Sequence, residues 1–107
     1  MEEIVRLAKA MSDRHRVEII ALIHREGEVC VCELCDTLRL SQPLVSRHLR
    51  QLREAGIVTA KKEGKWMVYR ITETPSKVLA ALLGALRENE KILPAIVTCD
   101  SRIVQEK

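Results

Sequence analysis

A mainly α fold with one small β-hairpin is expected of this 107-residue chain on three observations. Apolar residues recur at helical spacing before residue 56 and again after residue 76. They alternate with a period of two only between residues 57 and 71. The two helical stretches just before that alternation are short and joined by a tight turn. Hydrophobic residues make up 47% and charged residues 31%, the balance of one domain with one modest core. Phe is absent and Trp66 and Tyr69 are the only aromatics, so the core must be aliphatic. A module that stacks several bases on aromatic faces is disfavoured for the same reason.

Ile4, Val5, Leu7, Ala8 and Met11 place a first helix over about residues 2–10. Ser12-Asp13 offers an N-cap for a second helix, in which Val17, Ile20, Ala21 and His24 share a face. It runs to about Arg25, and Gly27 stops it. Val29-Cys30-Val31 reads as a brief strand or extended segment, and Cys32 to Leu38 as a third, short helix. Arg39-Leu40 is the turn. Ser41 caps the fourth helix, Pro43 falls in its first turn, where a missing N–H costs little, and Gly56 ends it after about Ala55. Residues 57–62 and 65–71 form two strands around Glu63-Gly64, with Gly at the second turn position. Ser76 caps a fifth helix carrying Val78, Leu79, Leu82, Leu83 and Leu86. Residues 1–93 make the domain and residues 94–107 a C-terminal tail. Five helices with a basic hairpin after a helix-turn-helix are the plan of a winged helix-turn-helix.

The net charge of +3 is unevenly spread. Residues 1–40 carry −2, residues 41–65 carry +4 and residues 66–107 carry +1. A basic block of 25 residues in a nearly neutral chain is a candidate phosphate-facing surface. Within it the fourth helix turns Val45, Leu49 and Leu52 to the core. Pro43, Arg47 and Arg50 lie opposite, flanked by Gln42 and Ser46. Arg can grip guanine, Gln can pair with adenine, and Ser41, Ser46 and the helix start can hold phosphate. Lys61, Lys62 and Lys65 of the hairpin would add phosphate or minor-groove contacts. His48 sits at the edge of the core face and reads as a structural histidine.

Three thiols crowd into Cys30-Val31-Cys32-Glu33-Leu34-Cys35, at what reads as an exposed helix start. Met1-Glu2-Glu3 has the wrong sign for a secretory signal, and no apolar run approaches the roughly 18–20 residues that span a bilayer. A cytoplasmic chain without a membrane partner, its cysteines reduced, is therefore expected. Structural zinc wants four ligands, usually in two separated pairs, and only one cluster exists here, so Cys99 or a His would have to complete it. A redox Cys32–Cys35 pair lacks a surrounding βαβ pattern. A soft trivalent ion fits better, because three thiolates neutralise it and complete a pyramidal site. On a regular helix Cys30 and Cys32 point about 200° apart and Cys30 and Cys35 about 140° apart. The three sulfurs can meet only if the backbone leaves the helical path at Cys30 and the first turn distorts at Cys32. Ion binding and DNA binding would then favour different backbone states and oppose each other.

The cysteine run, Ser41-Gln42-Pro43-Leu44-Val45-Ser46-Arg47-His48-Leu49, Leu52-Arg53-Glu54-Ala55-Gly56-Ile57-Val58 and Gly64-Lys65-Trp66-Met67-Val68-Tyr69-Arg70-Ile71 together resemble the ArsR/SmtB repressors, in their arsenic-responsive branch. The resemblance implies a homodimeric repressor, paired through its first and last helices, on the operator of its own operon. It implies release by As(III) or Sb(III) held on Cys30, Cys32 and Cys35, with no catalytic cofactor and no enzymatic activity. No His pair stands on the last helix, where other branches place a zinc site. The alternatives are a cadmium, lead or zinc sensor with Cys99 as an added ligand, a small thiol enzyme such as an arsenate reductase, for which no anion-cradling loop is evident, and a repressor released by thiol oxidation alone.

Overall fold

The fold is given by a computed structural model that describes residues 1–89, 91 and 93–98. Its elements run α1 (Glu2–Ala10), α2 (Arg14–Glu26), β1 (Val29–Cys30), α3 (Val31–Leu38), α4 (Gln42–Glu54), β2 (Val58–Glu63), β3 (Trp66–Ile71) and α5 (Lys77–Arg87). Caps fix most of the boundaries. Asp13 accepts the Arg16 N–H at the start of α2, and Gly27 ends that helix at φ 89°, where a side chain would be strained. Ser41 and Ser76 accept from Leu44 and Leu79 at the starts of α4 and α5. The described residues form a winged helix-turn-helix with five helices.

The core is aliphatic and centres on α2. Ile19, Ile20, Leu22 and Ile23 are fully buried there, because α2 packs against β1, β3, α4 and α5 at once. Leu34 of α3, Val45, Leu49 and Leu52 of α4, and Ile57 close the same cluster, which Leu79 and Leu83 of α5 join. Ile4 and Val5 of α1 remain exposed in the single chain, at 54% and 47%.

Two expectations change in the sheet. The short Val29–Cys30 segment is a true strand, and it pairs with β3 rather than standing alone. Val29 faces Tyr69 and Cys30 faces Val68, so the sheet has three strands in the order β1-β3-β2. The hairpin turn is also one residue further on than expected. Glu63 pairs with Trp66, leaving Gly64-Lys65 as the loop with Gly64 at its first position, φ 61°. The expected register would have set Lys62 opposite Lys65. The observed one avoids that repulsion and gives Gly the positive φ that a tight hairpin turn demands.

The first residues of the tail lie against the domain. The Pro94 carbonyl accepts from Arg25 at 2.8 Å and the Val97 N–H donates to the Thr37 hydroxyl of α3 at 2.8 Å. Cys99 lies outside the described residues. Among the described residues no helix is long and apolar enough to cross a membrane.

Candidate thiol cluster and nucleic-acid interface

The α4 helix separates its faces as its sequence requires. Val45, His48, Leu49 and Leu52 are buried, while Ser41, Gln42, Pro43, Ser46, Arg47 and Arg50 are exposed. The Ser41 hydroxyl caps Leu44 at 3.4 Å, which fixes the helix start and leaves its O–H as a donor. Lys61 and Lys62 on β2 and Lys65 in the turn are also exposed, and the Lys65 ammonium lies 5.9 Å from the Trp66 ring centre.

What holds α4 in place was not legible in the sequence. Arg16 of α2 donates to the Ala10 and Lys9 carbonyls at the end of α1, at 2.7 and 3.1 Å, and to Gln51 of α4 at 2.9 Å. The same guanidinium lies 3.5 Å from His48 Nδ1. His48 is 6% exposed, and its Nε2 lies 4.0 Å from an Asp13 carboxylate oxygen. The Arg16 N–H, first of all, holds the Asp13 carboxyl below its ordinary range against the opposing pull of burial; His48 and the Arg16 charge add to the lowering. Arg6 of α1 donates to the Ala55 carbonyl at the end of α4, 3.0 Å away. The middle and the C-terminal end of α1 are thus tied to the second half of α4, directly through Arg6 and by way of Arg16, a link between segments too far apart in the chain for periodicity to show.

The cysteines straddle the junction of β1 and α3. The expected exposed helix start is instead largely covered: Cys30 is 1% exposed, and Cys32 and Cys35 are half-buried. Pairing with Val68 in the sheet is what buries Cys30, and Trp66 and Cys32 pack around that pair. Cys30 has extended backbone, φ −100° and ψ 165°, and serves as the N-cap of α3 in a capping box with Glu33. The Glu33 carboxylate is 3% exposed and accepts the Cys30 N–H at 3.0 Å. Burial, and then the neighbouring Asp36 charge, push the Cys35 thiol up from its ordinary range.

The sulfurs of Cys30 and Cys32 lie 3.7 Å apart. Two sulfurs on one centre with bonds of about 2.3 Å stand roughly 3.3–3.8 Å apart, so that pair already has a workable spacing. Among the described residues no three His, Cys, Asp or Glu side chains surround one point. Cys30 precedes the helix, whereas Cys32 and Cys35 follow each other at i and i+3 on α3. Cys32 and Cys35 open on a cavity of about 500 Å³ whose other walls are Val31, Asp36, Gln42, Lys65, Trp66 and Met67. One cavity therefore touches the thiol helix, the first residue of α4 and the wing.

Comparisons with known proteins agree with this architecture. The family described as bacterial regulatory protein, arsR family, matches residues 13–60. The arsenic resistance transcriptional regulator ArsR1 of Pseudomonas putida is 49% identical over 86 residues, 79% of this chain and 67% of that protein. The arsenical resistance operon repressor of Escherichia coli is 46% identical over 94 residues, 87% of this chain and 80% of that one. A cadmium resistance regulatory protein CadC homolog of Staphylococcus aureus is 36% identical over 77 residues, 72% of this chain and 64% of that one. Among solved structures, HlyU from Vibrio cholerae superposes with a TM-score of 0.72 at 32% identity, covering 82% of this chain and 91% of that one. The homodimeric winged helix-turn-helix domain of Mb0332 from Mycobacterium bovis gives 0.69 at 24% identity, covering 84% and 80%.

Proposed function

The chain belongs to the arsR family of bacterial regulatory proteins, and from that premise we propose that it is a metalloid-responsive repressor. In this reading it binds operator DNA as a homodimer and is released when trivalent arsenic or antimony bonds to Cys30, Cys32 and Cys35. The observation that carries the reading is the shared cavity, in which Cys32 and Cys35 meet Gln42 of α4 and Lys65 and Trp66 of the wing. Relatives named for arsenic resistance support the choice of ion. Dimerisation through α1 and α5 is supported by the exposed Ile4 and Val5 and by the half-buried Leu82 and Leu86, which a second copy would cover.

The chemistry follows from the donor set. A soft trivalent centre takes three sulfurs and ends neutral. Three thiols condensing with arsenous acid form three S–As bonds and release three waters, with no net proton. Two of the sulfurs are already near a bonding spacing, and Cys35 has still to join them on one centre. Bringing it in bends the start of α3, which is the helix that packs against α4. The bent chain no longer presents Gln42, Arg47 and Arg50 to one groove. The binding form is the reduced one, since a disulfide offers no thiolate.

Gel-shift titration of the reduced protein with arsenite, on a duplex selected from a random pool, tests the reading. Arsenite frees the duplex from the wild-type protein, and Cys32→Ser binds DNA but no longer lets go. Release that survives in Cys32→Ser removes the cluster as the sensor. The CadC homolog favours a second reading, a divalent soft-metal sensor, in which Cys99 adds a ligand. Four thiols taking a divalent ion shed four protons, so its apparent affinity rises by roughly tenfold per proton per pH unit. Arsenite release should stay nearly level between pH 6 and 8. Steep pH dependence with cadmium as the effective ion, lost in Cys99→Ser, would instead select the second reading.

A further inference from the structure

We propose that the Cys30–Glu33 capping box is the latch that sets how much inducer the switch requires, with Glu33 as a positioning residue that never touches the ion. The inference rests on the three-cysteine reading above and adds to it the element that resists release. Cys30 has two incompatible tasks. In the present structure it is the N-cap of α3 and sits in register with Val68 of the wing. In the loaded form its sulfur would be bonded to the ion. The capping box ties its backbone as well as its side chain: the Glu33 carboxylate, 3% exposed, accepts the Cys30 N–H at 3.0 Å. Reorienting Cys30 toward Cys35 must stretch or break that bond, because Cys30 and Glu33 are tied within the first turn of α3 while Cys35 lies in the next turn.

A buried carboxylate must keep its hydrogen-bond partners, so the bond favours the DNA-fitting state. Weakening the latch makes the bent state cheaper without removing a sulfur. Replacing Glu33 by an apolar residue of similar length then lets arsenite work at lower concentration, and replacing it by Gln preserves the box, since an amide oxygen accepts the same N–H. The direction is diagnostic. A residue that merely supported the fold would, when lost, impair arsenite response or DNA binding; a latch, when lost, sharpens the response.

The test compares reduced wild-type, Glu33→Met and Glu33→Gln proteins on one selected duplex. Half-release by arsenite falls about five- to tenfold in Glu33→Met, the factor of one lost intramolecular hydrogen bond, and stays at the wild-type value in Glu33→Gln. An unchanged or raised half-release concentration in Glu33→Met overturns the latch. Should Glu33→Met fail to fold, amide hydrogen exchange of wild-type Cys30 decides the matter. Its N–H is protected in the ion-free protein and exchanges freely once arsenite is bound; protection that persists in the loaded protein overturns the proposal. Failure of arsenite to release the wild-type protein would count against the sensor reading itself, so the two outcomes are separable.

Discussion

Asp13 is half-exposed, yet it joins three parts of the molecule: it caps α2, faces buried His48 of α4, and shares both contacts with Arg16. Its pKa is lowered in the fold, chiefly by the Arg16 N–H, so its contribution is present above the unfolded value of about 3.9 and disappears as pH falls through the lower folded value. Asp13→Ala therefore costs about 1 kcal/mol at pH 7 in urea unfolding, and the gap to wild type closes as the pH drops below about 4. Arg39 is a different case. It is the only non-glycine with positive φ among the described residues, at 58°, in the turn between α3 and α4. A side chain there costs about 1 kcal/mol relative to Gly, so Arg39→Gly raises the melting temperature by a few degrees. A fall would show that the Arg39 side chain makes a stabilising contact.

The helix pair α3–α4 carries the thiols at one start and the exposed polar set proposed to read DNA at the other. Caps made this legible in the sequence: Asp13, Ser41 and Ser76 stand where side-chain oxygens are expected to begin helices, and each does so. Alternation of apolar residues in α4 marked which face would be exposed, and Gln42, Pro43, Ser46, Arg47 and Arg50 are exposed. The β1 strand was only half legible, because two residues have no period from which pairing can be read. Its partner β3 lies some forty residues away, and that pairing is what buries Cys30. The Cys30 cap was hidden for another reason: a cysteine stands where a capping box normally has Ser or Thr, so Glu33 gave no signal. At this scale Arg47→Ala should weaken binding to a selected duplex and relax its base preference, by about 1–3 kcal/mol if the guanidinium makes a bidentate base contact. Equal loss on a random duplex would demote Arg47 to a phosphate contact.

Across the whole molecule, long-range ties connect the thiol junction, the wing, α1 and the tail to the helices that the proposed switch would move. Arg6 and Arg16 fasten α1 to α4, the β1–β3 pairing fastens Cys30 to the wing, and Val97 fastens the tail to Thr37 of α3. None of these could be read from periodicity, since each joins segments far apart in the chain. They make the thiol junction a hub: displacement of Cys30 pulls on the wing strand as well as on α3. If ion and DNA select different shapes of this hub, each must weaken the other by the same factor. The most direct measurement is the arsenite affinity of the reduced protein, free and saturated with its selected duplex. Arsenite binds the free protein more tightly, by the same ratio by which loading weakens duplex binding. Equal arsenite affinity in the two states would contradict the account at its centre.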